Sequence, residues 1–189
     1  GGWFRTADGE PARSVARWDG VAWSPIEQGI TGRSVNAILP LPTGEVVVGG
    51  AFAVTGVAGT PNIAQWDGLN WSSLGSGPDA PVHALARLPN GDLVAAGEFT
   101  TAGGVPVNRV ARWNGTTWSS IGSPVQQTVF ALAVLPNGDL VIGGAFPGGV
   151  LRFDGTSWSP LGGGLSGPGP CYMLRAEGPL MDSIRTGRA

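Results

Sequence analysis

The only histidine of the chain, His83, precedes Glu98 by fifteen residues, and this pair is where the sequence comes nearest to acid–base chemistry. Both residues belong to VHALARLPNGDLVAAGEF, two apolar runs joined by Asn90-Gly91. Asn and Gly tolerate positive φ, so the dipeptide predicts a two-residue hairpin turn in which Pro89 pairs with Asp92. Counting outward from that pair sets His83 opposite Glu98 and predicts contact between the two side chains. A histidine against a carboxylate can handle a proton or orient a ligand. It is equally an ordinary cross-strand polar pair. No nucleophile or third partner accompanies it, so the sequence reads as non-catalytic.

Other chemistry is sparse. One histidine, one cysteine and carboxylates scattered over turns do not assemble a metal-ligand set, and no metal or cofactor is expected. Asp92 and Asp139 directly follow Asn-Gly, where turn chemistry accounts for them. Cys171 permits no internal disulfide and reads as a small strand residue. All 11 basic residues are Arg, none clustered, and the net charge is −2, which argues against a nucleic-acid partner. The longest apolar run, Val46 to Val54, is far short of the roughly 20 residues of a membrane span. With 42% hydrophobic residues in 189, one core is expected to bury about 70% of the unfolded surface.

The elements that hold His83 and Glu98 recur down the chain. Trp18, Trp66 and Trp113 stand 48 and 47 residues apart, and Trp23, Trp71 and Trp118 step by the same intervals. Gly50, Gly97 and Gly144 are each 47 apart, while Phe153 and Trp158 follow Trp113 and Trp118 by 40. The shortfall lies where Pro147-Gly148-Gly149 replaces residues 100–107, which marks that segment as a surface loop. Four-residue connections at Asp19-Gly20, Asp67-Gly68, Asn114-Gly115 and Asp154-Gly155 set each aromatic opposite the next: Trp18 against Trp23, Trp66 against Trp71, Trp113 against Trp118, Phe153 against Trp158. The pairs serve packing between sheets, or offer faces for stacking carbohydrate. Each unit then holds four short strands: 35–41, 45–52, 62–66 and 71–74; 82–88, 92–99, 108–113 and 118–121; 129–135, 139–146, 150–153 and 158–161. Four-stranded meanders at a period near 47 predict an all-β fold, a β-propeller of four-stranded antiparallel blades.

The wording also resembles known repeats. A double glycine ending the second strand (Gly49-Gly50, Gly143-Gly144), an aromatic followed by Asp or Asn in the third and a Trp in the fourth resemble the kelch β-propeller repeat. GGAF, IAQWDG and WSSLGSG are similar to repeats of the fungal cortical cell-polarity marker family and of large secreted bacterial repeat proteins. The resemblance implies an extracellular or envelope setting and binding of protein or glycan; no catalytic residue comes with it.

One domain is expected over 1–175, with blades at 1–26 (partial), 34–74, 82–121 and 129–161. A candidate closing strand lies at 170–175, and an irregular tail at 176–189. If the closing strand joins the N-terminal segment, the ring has four blades; the alternative is an arc of a larger ring. His83 fills a slot held by Asn36, Phe130 and Tyr172 in the other copies, and Glu98 replaces Ala51, Ala145 and Trp3. His83, Glu98, Asn36 and Phe130 are therefore the candidate ligand-binding residues. The loops that differ between copies (5–13, 27–33, 53–61, 75–81, 100–107 and 122–128) are small, polar and without an aromatic anchor. Three functions follow in order: a scaffold binding a protein or surface ligand, a lectin using tryptophan faces, and an enzyme with the His83–Glu98 pair in a central channel.

Overall fold

The computed structural model describes residues 1–26, 30–54, 56–58, 61–162, 171–172, 174–176 and 184–186. Three four-stranded antiparallel sheets follow one another, each a simple meander. The second blade holds Ile30–Pro40, Val46–Val54, Ile63–Trp66 and Trp71–Ser72; the third, Val82–Arg87, Leu93–Gly97, Val110–Trp113 and Trp118–Ser120; the fourth, Val129–Val134, Leu140–Gly144, Val150–Phe153 and Trp158–Pro160. Ala16–Trp18 and Trp23–Pro25 form the outer half of a first blade. The fold is all-β and its sheets are propeller blades.

The second strand of each blade is apolar throughout because both of its faces are covered. Val47 packs with Val82, Leu93 and Trp113 between the second and third blades, while its neighbour Val48 packs with Val15 and Val35 between the first and second. Leu93 and Ala95 join the layer behind them, and Val94 and Ala96 join the layer ahead with Val129 and Ile142. The period of two along one strand thus feeds two layers, and the core is a succession of inter-blade layers. Full burial of residues such as Phe99 and Ile142 stabilises the array by about 1.5–3 kcal/mol each.

The expected aromatic pairs are present at the expected register: Trp18↔Trp23, Trp66↔Trp71, Trp113↔Trp118 and Phe153↔Trp158. The repeat glycines mark close approaches of backbone. A Cβ at Gly97 would lie 2.1 Å from the carbonyl oxygen of Pro81, and one at Gly50 2.1 Å from that of Ser34.

Several expectations are corrected. The Asn90-Gly91 turn is a three-residue loop: Leu88 N–H donates to Asp92 O, and Gly91, at φ 95°, donates to Leu88 O. Pro89 and Asn90 occupy a turn and Gly91 the left-handed position after it, which moves the register by one residue. In the partial blade at 1–26, Gly1 to Phe4 forms no strand. Gly2 N–H donates to Ser14 O and Ser14 N–H to Phe4 O, but Ser14 sits at φ 64° and breaks the regular run. Asn62 and Arg109 hold the same φ and the same two bonds, to Gly50 with Phe52 and to Gly97 with Phe99.

Of the candidate closing strand at 170–175, residues 171–172 and 174–175 are described. Leu174–Ala176 pairs with Ile184–Thr186, so the tail read as irregular also holds a strand. Cys171 N–H donates to Gly144 O, as Val35 N–H donates to Gly2 O, so this segment stacks on the fourth blade as an inner strand does on the blade before it. Among the described residues, strand pairing does not join it to residues 1–25. The loops read at 27–33 and 53–61 are partly strand, because Ile30–Pro40 and Val46–Val54 run on as a long hairpin; residues 27–29, 55 and 59–60 lie outside the described residues. The loop at 100–107 folds into a small hairpin, Thr101–Ala102 with Val105–Pro106.

Candidate functional site

The slot occupied by His83 is a β-bulge. In the third blade Ala84 pairs with Ala96 and Val82 with Gly97, so His83 is the residue left over. The same shift leaves out Asn36 between Val35↔Gly50 and Ala37↔Gly49, and Phe130 between Val129↔Gly144 and Ala131↔Gly143. Each blade therefore takes one inner-strand residue out of the ladder at the same place. Bulges re-aim the side chain they carry.

These residues touch in series. Asn36 Nδ2 lies 3.3 Å from His83 Nδ1, the His83 and Phe130 rings are 5.2 Å apart, and Phe130 and Tyr172 are 4.8 Å apart. Three blades and the segment beyond them thus present one continuous row. Tyr172 is 48% exposed, Glu98 and Asn36 are exposed, and His83 and Phe130 are half-buried.

His83 and Glu98 are in contact as expected, with Nε2 2.8 Å from Oε1. They are not opposite each other, for the three-residue loop and the bulge each move the register, and Glu98 N–H instead donates to Pro81 O. Two side chains of this reach close the diagonal. The histidine sits within a chain of bonds: Ser34 Oγ donates to Asn36 Oδ1 (2.8 Å), and Asn36 Nδ2 donates to Val82 O (2.9 Å) and faces His83 Nδ1. A carboxylate accepts and an amide nitrogen donates, so the arrangement suits a neutral imidazole protonated at Nε2. Arg109 braces the other end, its guanidinium donating to the carbonyls of Glu98 and Gln126. The row is therefore a hydrogen-bonded polar pair continued by two stacked aromatic rings.

Carboxylates elsewhere are held by the scaffold. Asp92 and Asp139 accept from the backbone-capping residues Asn90 and Asn137 and pair with Arg112 and Arg152. Asp19, Asp67 and Asp154 cap the outer hairpins: Asp67 Oδ1 accepts from the N–H groups of Asn70 and Leu69 at 2.7 Å, which holds its carboxyl below the usual range. Backbone donors from Ala22 and Val21 lower Asp19, and donors from Ser157 and Thr156 lower Asp154. Among the described residues no three His, Cys, Asp or Glu side chains are grouped to hold a metal ion.

The tryptophan markers divide by environment. Trp71, Trp113 and Trp118 are buried between blades and Trp66 and Trp158 are half-buried, whereas Trp18 and Trp23 are 49% and 46% exposed. Sequence reasoning missed Trp3. It named the slot but saw no aromatic anchor near the variable loops, and Trp3 stands 84% exposed beside the 5–13 loop.

Residues 88–115 match the family model described as a domain of unknown function (DUF5122) beta-propeller. A search of curated proteins gave no match. Among solved structures, YCF48 bound to D1 peptide is similar at 20% identity and a TM-score of 0.45, over 74% of this chain and 44% of that one. PorZ, a bacterial surface component of the type-IX secretion system of Porphyromonas gingivalis, is similar at 20% identity and a TM-score of 0.44, over 77% of this chain and 21% of that one. Virginiamycin B lyase from Staphylococcus aureus is similar at 15% identity and a TM-score of 0.40, over 71% of this chain and 41% of that one. The chain spans under half the length of each. Among the described residues no helix is long and apolar enough to cross a membrane.

Proposed function

We propose that this kelch-like propeller is a non-catalytic scaffold that binds a protein segment along the row Asn36, His83, Phe130 and Tyr172, with Glu98 at its polar end. The observation that carries this reading is the continuity of the row, from the Asn36–His83 approach to the Phe130–Tyr172 stack, along partly exposed side chains. Aromatic faces beside a fixed polar pair supply both contact area and orientation to an extended ligand. Both ring nitrogens of His83 already have partners, which supports recognition over proton transfer. The extracellular or envelope setting implied by the repeat wording belongs to the same proposal.

Panning a random-peptide library on the immobilised domain tests the reading. Selected peptides are expected to lose binding on the Phe130→Ser and His83→Ala variants. Peptides that bind these variants unchanged, or turnover in a hydrolase and lyase panel that is lost with His83→Ala, would overturn it.

One observation favours a second reading. Trp18 and Trp23, with ring centroids 5.4 Å apart, are the exposed member of the aromatic-pair series and offer stacking faces to a sugar. Binding of neutral glycans that disappears with Trp18→Ala would favour the lectin reading.

A further inference from the structure

We infer that the groove between the first partial blade and the second is a further binding site, which takes a carboxylate-bearing peptide segment with an apolar neighbour. It rests on the protein-binding reading above and adds a site apart from the inner-strand row.

The groove encloses about 420 Å³ and is lined by Trp3, Phe4, Arg5, Pro11, Arg13 and Ile30 among others. It is open for an identifiable reason. In the next junction Asn62 Nδ2 spans to Pro78 O, and in the one after it Arg109 spans to Gln126 O. The equivalent residue here is Ser14, which shares their φ of 64° but has a short side chain that, among the described residues, makes no such bond. The junction is closed at the level of Val35 and Gly2 and left unfilled beside the 5–13 loop.

The lining selects the ligand. Arg5 and Arg13 are exposed and, among the described residues, neither is in an ion pair, with Asp8 and Glu10 of the adjacent hairpin included. Arg109, Arg112 and Arg152, by contrast, all bind carbonyls or carboxylates of the scaffold. Two guanidinium groups without an ion-pair partner among the described residues call for an anion, and their planar forks suit a carboxylate. Phe4, Pro11 and Ile30 make the rest apolar, and Trp3 adds a face 84% exposed. A saccharide would need acceptors for its hydroxyls, and Ser14 and Thr31 are the uncharged side chains of the lining that can accept. An acidic residue flanked by an apolar one satisfies both halves of the groove.

Calorimetric titration with two blocked peptides, acetyl-Gly-Leu-Glu-Leu-Gly-amide and its Gln counterpart, tests this. The Glu peptide is expected to bind at least about tenfold more tightly. Arg5→Gln with Arg13→Gln should remove that difference, and Trp3→Ala should weaken both peptides. Both arginines are exposed, so melting should be unchanged; as a second check, Arg5→Glu with Arg13→Glu should prefer the corresponding Leu-Arg-Leu peptide. Equal binding of the Glu and Gln peptides, or indifference to the arginines, overturns the site. If Phe130→Ser abolishes peptide binding while the arginine variants do not, the site fails and the inner-row reading stands. Binding of trigalacturonate in place of either peptide overturns both in favour of an acidic glycan.

Discussion

The indole Nε1–H of Trp118 donates to the main-chain carbonyl of Leu74, 2.6 Å away in the blade before it. Trp158 repeats the bond to Ile121 O at 3.1 Å. The third and fourth blades are each thereby tied to the blade before by a hydrogen bond from the aromatic that also fills the layer between them.

Trp118→Phe, which keeps the ring and removes the donor, should cost about 1–3 kcal/mol. Trp118→Ala should cost about 3–5 kcal/mol, because it also opens a cavity. The indole N–H of Trp71 is buried with no partner, so Trp71→Phe should cost less than Trp118→Phe. Trp23→Ala, at a half-exposed site, should stay below about 1 kcal/mol. Urea unfolding midpoints rank the four variants, and equal losses for Trp71→Phe and Trp118→Phe would count against the tie.

Gly97→Ala and Gly115→Ala separate close approach from backbone conformation. At Gly97 the new methyl meets Pro81 O at 2.1 Å, and the inner strand has to shift to admit it. At Gly115, φ 97°, nothing lies within 4 Å and only the left-handed backbone is strained. The expected losses are about 3 kcal/mol or more for Gly97→Ala and about 1 kcal/mol for Gly115→Ala. The same unfolding curves decide it.

Acid should loosen the outer hairpins. The carboxyls of Asp19, Asp67 and Asp154 are lowered in the folded state by backbone N–H donors. Their contribution is therefore complete above the unfolded carboxylate pKa of about 3.9, and is lost as pH falls through the lower folded values. Asn114 makes the same two bonds without titrating, at 3.0 and 2.8 Å. A variant with Asn at 19, 67 and 154 should match the wild type near neutrality and lose less melting temperature between about pH 4 and pH 2. Parallel curves for the two proteins in that interval would refute the assignment.

His83 should occupy the Nε2–H tautomer when neutral. Long-range nitrogen–proton spectra at alkaline pH should show Nδ1 as the unprotonated nitrogen. Asn36→Ala, which removes the group facing Nδ1 at 3.3 Å, should reduce that preference. A dominant Nδ1–H form in the wild type would contradict the geometry.

What is legible in the sequence is local. Turn dipeptides and aromatics six positions from start to end of a hairpin fix their own geometry, so Trp18↔Trp23 and its copies follow from residue types and spacing alone. What is not legible is the sum of single-residue slips. The Pro89-Asn90-Gly91 loop and the bulge at His83 each move the register, and neither alters the alternation by which strands are recognised. The contact of His83 with Glu98 holds despite both slips because the two side chains are long. The exposure of Trp3 is invisible for another reason: burial depends on how neighbouring segments pack in space, which the repeat spacing does not carry. The pairing of Leu174–Ala176 with Ile184–Thr186 carries no repeat signature at all.

The bulge has one more consequence. Because it drops a residue from the ladder in each of the three four-stranded blades, backbone pairing is indifferent to what that residue is. Asn36, His83 and Phe130 then behave as three characters of an address, Asn-His-Phe, written on a page that does not depend on the text. Exchanging characters between blades should leave the melting temperature scarcely moved, so the chemistry of the row can be rewritten one blade at a time.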